Sequence, residues 1–220
     1  MSGDSASANQ TDRAVQYVDH LVVATSDLEK GVRYIEERFG VTPQPGGSHP
    51  VYGTRNALVG MGKSCYLEII GPDLSILQGD EVKVFGIHRL EEPALVTWAA
   101  AGSELEDFVE SARGELIDLG AVTLGNRRQS DGRELTWTFT DPLAARMGGV
   151  LPFFIDWGDT PHPASSLPPD CELLGFSLQH PHPGEVMRRL EFLGLDIAVG
   201  SAEHPKVSAR IRTPNGDIDL

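Results

Sequence analysis

Cysteine is scarce in this chain. Only Cys65 and Cys171 occur in 220 residues, too few for the disulfide framework of a small secreted scaffold. Cys65 sits in an apolar stretch and reads as a small buried hydrophobe. Basic residues are also few. Eighteen Lys and Arg stand against 32 Asp and Glu, a formal net charge of -14, and such a surface repels nucleic acid and anionic membrane. No apolar run is long enough to span a bilayer. The polar, Ser/Ala/Asp-rich opening has no hydrophobic core and reads as a disordered tail over residues 1–14, so the expected location is cytoplasmic. Missing too are a phosphate-cradling P-loop, a dinucleotide Gly-x-Gly-x-x-Gly after a strand, a nucleophile elbow and zinc-finger spacing. Neither cysteine stands beside an evident base, which argues against thiol catalysis.

What is present is ordinary globular composition, 40% hydrophobic and 23% charged, arranged as a recurring order of elements. The strand Tyr17 to Ala24 leads to Ser26 or Asp27 as a helix cap, then to Leu28, Val32, Ile35 and Phe39 at helical spacing, with Gly40 as the stop. Thr42 to Gly47 is Pro/Gly-rich punctuation. Asn56 to Gly60 and Cys65 to Ile70 read as strands about a Gly62-Lys63-Ser64 turn, giving strand, helix, three strands. A second run opens at Leu95 to Ala99. Ser103 and Glu106 form a capping box for a helix with Leu105, Phe108, Val109, Ala112 and Leu116 on one face, and strands follow over 121–124, 134–140 and 150–157. A third, shorter run begins at Leu173, continues through a helix from Pro183 to Leu193, and ends in a hairpin at Asn215-Gly216. The expected division is 15–72, 94–160 and 171–220, joined by a connector over 73–93 and a Pro/Ser-rich linker over 161–170. The fold class is α+β: tandem βαβββ modules forming curved mixed sheets with helices on the outer face.

The strands suggest where chemistry sits. Side chains alternate along a strand, so Leu21 and Val23 share one face and Val18, His20 and Val22 the other. In the later strand Leu67 and Ile69 oppose Tyr66, Glu68 and Ile70. The amphipathic helix covers the purely aliphatic face, which leaves His20 and Glu68 together on a concave one. A buried carboxylate needs a partner. A divalent cation bound by both side chains meets that need, and so does a metal-free hydrogen-bonded His–Glu pair. Mixed nitrogen and oxygen ligation suits Zn, Fe, Mn, Ni or Co.

Repeated strand–helix–three-strand runs, with His near the end of a first strand and Glu in a last one, resemble the vicinal oxygen chelate superfamily. Gly47 to Leu58 (GSHPVYGTRNAL), then Tyr66 to Ile70 (YLEII), and Leu151 to Trp157 (LPFFIDW) with His162-Pro163 resemble its glyoxalase-like branch. The resemblance implies a metal-dependent enzyme of lyase, isomerase or dioxygenase type, acting on a small oxygenated substrate in a cup between modules. His20 and Glu68 would be metal ligands and His49, Arg55, Asn56, Trp98 and Phe154 substrate contacts. The general base is not identified, and no third ligand stands out: Asp156, Asp219, His162, His180 and His182 are the candidates. A metal-free binding protein on the same scaffold is the other reading, and a homodimer is an option for pairing the odd third module. Arg127, Arg128 and Arg133 around Ser130-Asp131-Gly132 read as a solvated loop.

Overall fold

A computed structural model describes residues 14–76, 82–128, 134–144 and 146–220. Most of the opening tail and the Ser130-Asp131-Gly132 turn with Arg133 lie outside the described residues.

The first run comprises β1 (Val18–Ala24), α1 (Leu28–Phe39), β2 (Gln44–His49), β3 (Thr54–Gly60) and β4 (Tyr66–Pro72). The second comprises β5 (Ala94–Ala101), α2 (Leu105–Gly114), β6 (Val122–Arg128), β7 (Glu134–Thr140) and β8 (Phe153–Asp156). Their eight strands form one curved mixed sheet in the order β2-β3-β4-β1-β5-β8-β7-β6. Each run pairs its first strand with its last in parallel, β1 with β4 and β5 with β8. The two runs meet at the antiparallel β1–β5 seam.

Local chemistry explains the first run. The Asp27 side chain accepts from Lys30 N–H and caps α1, while Gly40 at φ 72° ends it in the left-handed conformation that glycine adopts without penalty. Two sequence expectations differ from the structure. The Pro/Gly-rich stretch after α1 is not mere punctuation but the edge strand β2, where Pro45 is tolerated because an edge has no second ladder to feed. The capping box at Ser103 is not made: Glu104 is the N-cap residue of α2, at φ 49°, and contributes no side-chain cap bond.

A third run, β9 (Glu172–His180), α3 (Pro183–Phe192), β10 (Val199–Ser201), β11 (Lys206–Thr213) and β12 (Gly216–Asp219), forms a separate four-stranded sheet in the order β10-β9-β11-β12. Here the first strand lies between β10 and β11 and does not meet the last, so the element order repeats while the topology changes. This sheet does not build a second cup. Phe176 of β9 packs its ring 4.8 Å from Trp98 of β5, and both belong to one large core with Leu21, Val23, Leu67 and Ile69. The third run therefore backs the seam between the first two, beside α1 and α2. Its hairpin also locks onto α1, because the Asn215 amide donates to the carbonyls of Glu37 and Arg38 at 3.1 and 3.3 Å. Among the described residues no helix is long and apolar enough to cross a membrane.

Candidate functional site

The other face of the eight-stranded sheet is concave and encloses a cavity of about 380 Å³. Its walls are mostly carbon, from Tyr52, Leu58, Phe85, Trp137, Phe139, Phe153 and Trp157. Polar groups on β1, β3 and β4 are joined by Ser48 and His49 of β2 and by Thr123 and Asn126 of β6.

Alternation along β1 and β4 positions them. His20 pairs with Tyr66, and Val22 with Glu68, so His20, Tyr66 and Glu68 all face the cavity while Leu21 and Leu67 enter the helix-packed core. His20 Nε2 and Glu68 Oε2 lie 3.9 Å apart, with side chains 3% and 10% exposed. Tyr66 stacks on the imidazole at 4.5 Å and 18°, and Phe153 meets it edge-on at 5.4 Å.

One departure from alternation matters most. Between Val18 and His20 the β1–β5 register slips, so Val18 opposes Ala100 and His20 opposes Ala99. Asp19 is the extra residue of this bulge, and a bulge re-aims side chains. Val18 turns to the core, contrary to the expectation that it shares a face with His20. The Asp19 carboxylate comes to 2.7 Å from His20 Nδ1. Its other oxygen accepts from Trp157 Nε1–H at 3.1 Å and from His162 Nε2 at 3.2 Å. Burial opposes ionisation of Asp19, but hydrogen bonds from His162 and His20 bring its pKa down to about 2.

These contacts fix the proton positions. His162 Nδ1 accepts from Ala164 N–H, so its proton is on Nε2 and is donated to Asp19. An ionised carboxylate only accepts, so His20 carries a proton on Nδ1 and presents Nε2 to the cavity. Glu68 is oriented in the same manner. Asn56 Oδ1 accepts from Gly47 N–H at 2.7 Å, which points the Asn56 amide nitrogen at Glu68 Oε1, 2.5 Å away. Oε2 is left facing His20.

Of the other expected contacts, His49 lines the cavity, with Nδ1 3.1 Å from Thr54 Oγ1. Arg55 does not. It neighbours Asn56 on a strand and so faces the opposite side, where it pairs with Glu29 of α1. Trp98 and Phe154 are buried in the helix-side core, Trp98 donating its indole N–H to Val150 O, and neither reaches the cavity. Tyr66 lies on the face that strand alternation gave it, with His20 and Glu68, and Phe153 and Trp157 line the wall; Asp19 occupies a place that the sequence reading did not assign.

A metal ion suits these donors in kind. One imidazole nitrogen and one carboxylate oxygen face the same space, and each is steadied through its second polar atom, as metal-ligating side chains usually are. In number they are few. Among the described residues no group of three or more His, Cys, Asp or Glu side chains is placed to hold a metal ion. Asp156 accepts from Gly158 N–H, Asp219 pairs with Arg210, His180 accepts from His182 N–H, and His162 is committed to Asp19. Across the seam the second run offers Phe153 and Ile155, and its polar lining side chains, Thr123 and Asn126, lie on the edge strand β6.

Comparison with known proteins agrees with this architecture. No curated protein matches the chain. A hypothetical protein from Staphylococcus aureus superposes with a TM-score of 0.58 at 16% identity, covering 92% of this chain and 83% of that one. Methylmalonyl-CoA epimerase from Mycobacterium tuberculosis aligns at 20% identity and a TM-score of 0.43, over 66% of this chain and 90% of its own. A hypothetical protein from Bacillus halodurans aligns at 16% identity and a TM-score of 0.42, over 64% and 94%. The likeness to the Staphylococcus protein is one of fold. Residues 18–194 match the glyoxalase-like domain, and the chain belongs to that family.

Proposed function

We propose that this protein is a glyoxalase-like enzyme acting on a small oxygenated molecule in the cup, with His20 and Glu68 as ligands of a divalent metal. The observation that carries the reading is the pair itself. Nε2 and Oε2 stand 3.9 Å apart on the cavity wall, and the remaining polar atoms of both side chains are already taken by Asp19 and Asn56. Two buried side chains aimed in this way are prepared for a shared ligand. A divalent ion held there would supply Lewis acidity to neighbouring oxygens of the substrate. The chain's own residues orient and exclude. Asp19 keeps the His20 lone pair turned to the cavity, Asn56 holds Glu68, and the aromatic walls remove water from around both.

A second reading is a metal-free protein that sequesters a largely apolar molecule. It is favoured by one observation: the strand of the second run that adds lining side chains nearest the β1–β5 seam, β8, presents Phe153 and Ile155, and the polar lining side chains of that run, Thr123 and Asn126, stand on the edge strand β6. The experiment that decides is elemental analysis after equilibration with Zn²⁺, Mn²⁺, Ni²⁺, Co²⁺ or Fe²⁺ and desalting. The first reading expects about one ion per chain, retained by the native protein and lost from folded His20→Ala and Glu68→Ala variants. A native protein that keeps none sinks it. The second reading then stands if a ligand stabilises the protein equally with and without chelator.

A further inference from the structure

Behind the cup floor lies a second cavity of about 640 Å³, between the second run and the third. Its charge is unlike that of the molecule. In a chain with 32 acids and 18 bases, its lining includes Lys83, Arg146 and Lys206 and, among the described residues, no Asp or Glu side chain.

Arg146 is the unusual member. Its guanidinium lies 5.0 Å from the Phe85 ring centre and 5.9 Å from that of Phe153, the two rings that separate it from the cup. Its Nε is buried without a hydrogen-bond partner. Its Nη1 reaches Thr97 Oγ1 only at 3.5 Å, and that hydroxyl donates to Gly149 O. No carboxylate of the described residues lies within ion-pair distance. Burial lowers the Arg146 pKa and the more distant Asp141 raises it, leaving it at about 10, so the group is charged at neutral pH. A largely buried cation with rings but no anion beside it is costly and calls for a partner.

The backbone gives an independent sign. Among the described residues, Phe85 and Met147 are two of four non-glycine residues with positive φ, at 54° and 50°. They sit beside Gly86 at 70° and Gly148 at 73°, in the two segments that carry Lys83 and Arg146. Strain of this kind gathers at ligand-holding sites.

We propose that this cavity is a binding site for an oxyanion, a phosphate or carboxylate group, held by Arg146 with Lys83 and Lys206 at the mouth. A guanidinium offers planar paired donors to either group, and the lysines add charge without a fixed geometry. The site is separate from His20 and Glu68 and does not depend on what the cup binds. Phe85 lines both cavities.

The test is calorimetric titration of the full chain with sodium phosphate and, separately, sodium acetate, with NaCl holding ionic strength constant. At least one of them should bind saturably at one site, and the anion that does names the class. Arg146→Met should weaken that binding about tenfold or more, the loss of a charged hydrogen-bonding partner. A Lys83→Gln/Lys206→Gln variant, altered only at exposed positions, should weaken it by a smaller factor; it carries the test if the Arg146 variant fails to fold. Two results overturn the site: no saturable binding of either anion, or unchanged affinity in the lysine variant.

Discussion

Replacing Asp19 with asparagine isolates what the buried carboxylate does. The substitution keeps shape and removes charge. Asp19 accepts three hydrogen bonds, from His20, Trp157 and His162. Bonds to a charged acceptor contribute about 1.5–3 kcal/mol each and neutral ones about 0.5–1.5. Neutralising the acceptor therefore costs roughly 1 kcal/mol per bond, or about 3 in all, and relief from burying a charge returns part of this. A net loss of about 1–3 kcal/mol is expected. The new amide must also face one side. Turned towards Trp157 and His162 it would confront two N–H donors, but turned towards His20 it confronts one, and the imidazole can move its proton from Nδ1 to Nε2. The Asp19→Asn variant should therefore switch the His20 tautomer and close the lone pair facing the cup. In ¹⁵N NMR of the ring, Nε2 should change from unprotonated to protonated. Any metal affinity should fall about 10- to 100-fold, and the urea midpoint should drop. A folded variant with native stability and an unprotonated Nε2 would refute the role given to Asp19.

Three further outcomes follow from the packing. Trp98→Ala should cost about 3–5 kcal/mol by urea denaturation, because the ring fills the core against Phe176. The milder Trp98→Phe should leave metal or ligand binding in the cup unchanged, and weakened binding would place Trp98 in the wrong role. Burial pushes the Cys65 thiol up to about 12 and that of Cys171 up to about 11, so iodoacetamide at about pH 8, below both values, should label neither until urea unfolds the chain; prompt labelling of native protein contradicts this. Gly149 lies at φ +93°, where an added Cβ would stand 2.0 Å from the Val96 carbonyl oxygen, so Gly149→Ala should destabilise by more than about 2 kcal/mol, and a native-like urea midpoint would show that the loop yields.

The concave His20–Glu68 face was legible because Leu21 and Val23 in one strand and Leu67 and Ile69 in the other mark an aliphatic side, so the polar side identifies itself. The bulge at Asp19 was not. A period of two assumes an unbroken pleat, and nothing in Val18-Asp19-His20 marks where the partner strand skips a residue. Trp98 and Phe154 were misplaced for a different reason. Both faces of the central strands β5 and β8 are covered, one by the core and one by the cup lining, so hydrophobicity does not distinguish them. Pairing decides: Trp98 opposes Leu21 and so joins its face, and of the adjacent Phe153 and Phe154 only the first opposes Ala99 and enters the cup. Arg55 and Asn56 are a case where the sequence held the answer. Adjacent strand residues point to opposite sides, so the two were never able to hold one ligand together.

The cup is asymmetric, and that asymmetry bears on what it accepts. Its buried, oriented donors His20, Asn56 and Glu68 come from β1, β3 and β4, with Ser48 and His49 of β2 and Thr123 and Asn126 of β6 at the two edges of the sheet. Facing them are Trp137, Phe139 and Phe153, and Val84 and Phe85 of the connector also line the wall. Water at the carbon wall gains little from the protein and is readily displaced by an apolar body. Water near Glu68 and His20 is replaced at a loss unless an equally polar group takes its position. On the proposed function, orientation of a bound molecule would be set by both walls at once: oxygens against His20 and Glu68, hydrocarbon against β7 and β8. Closing carbon around the polar pair also lowers the local dielectric, which strengthens whatever contact His20 and Glu68 make. On the proposed function, the carbon wall of β7 and β8 and the oriented donors of the first run form one device, a site that would grip a single polar end and enclose the rest in carbon.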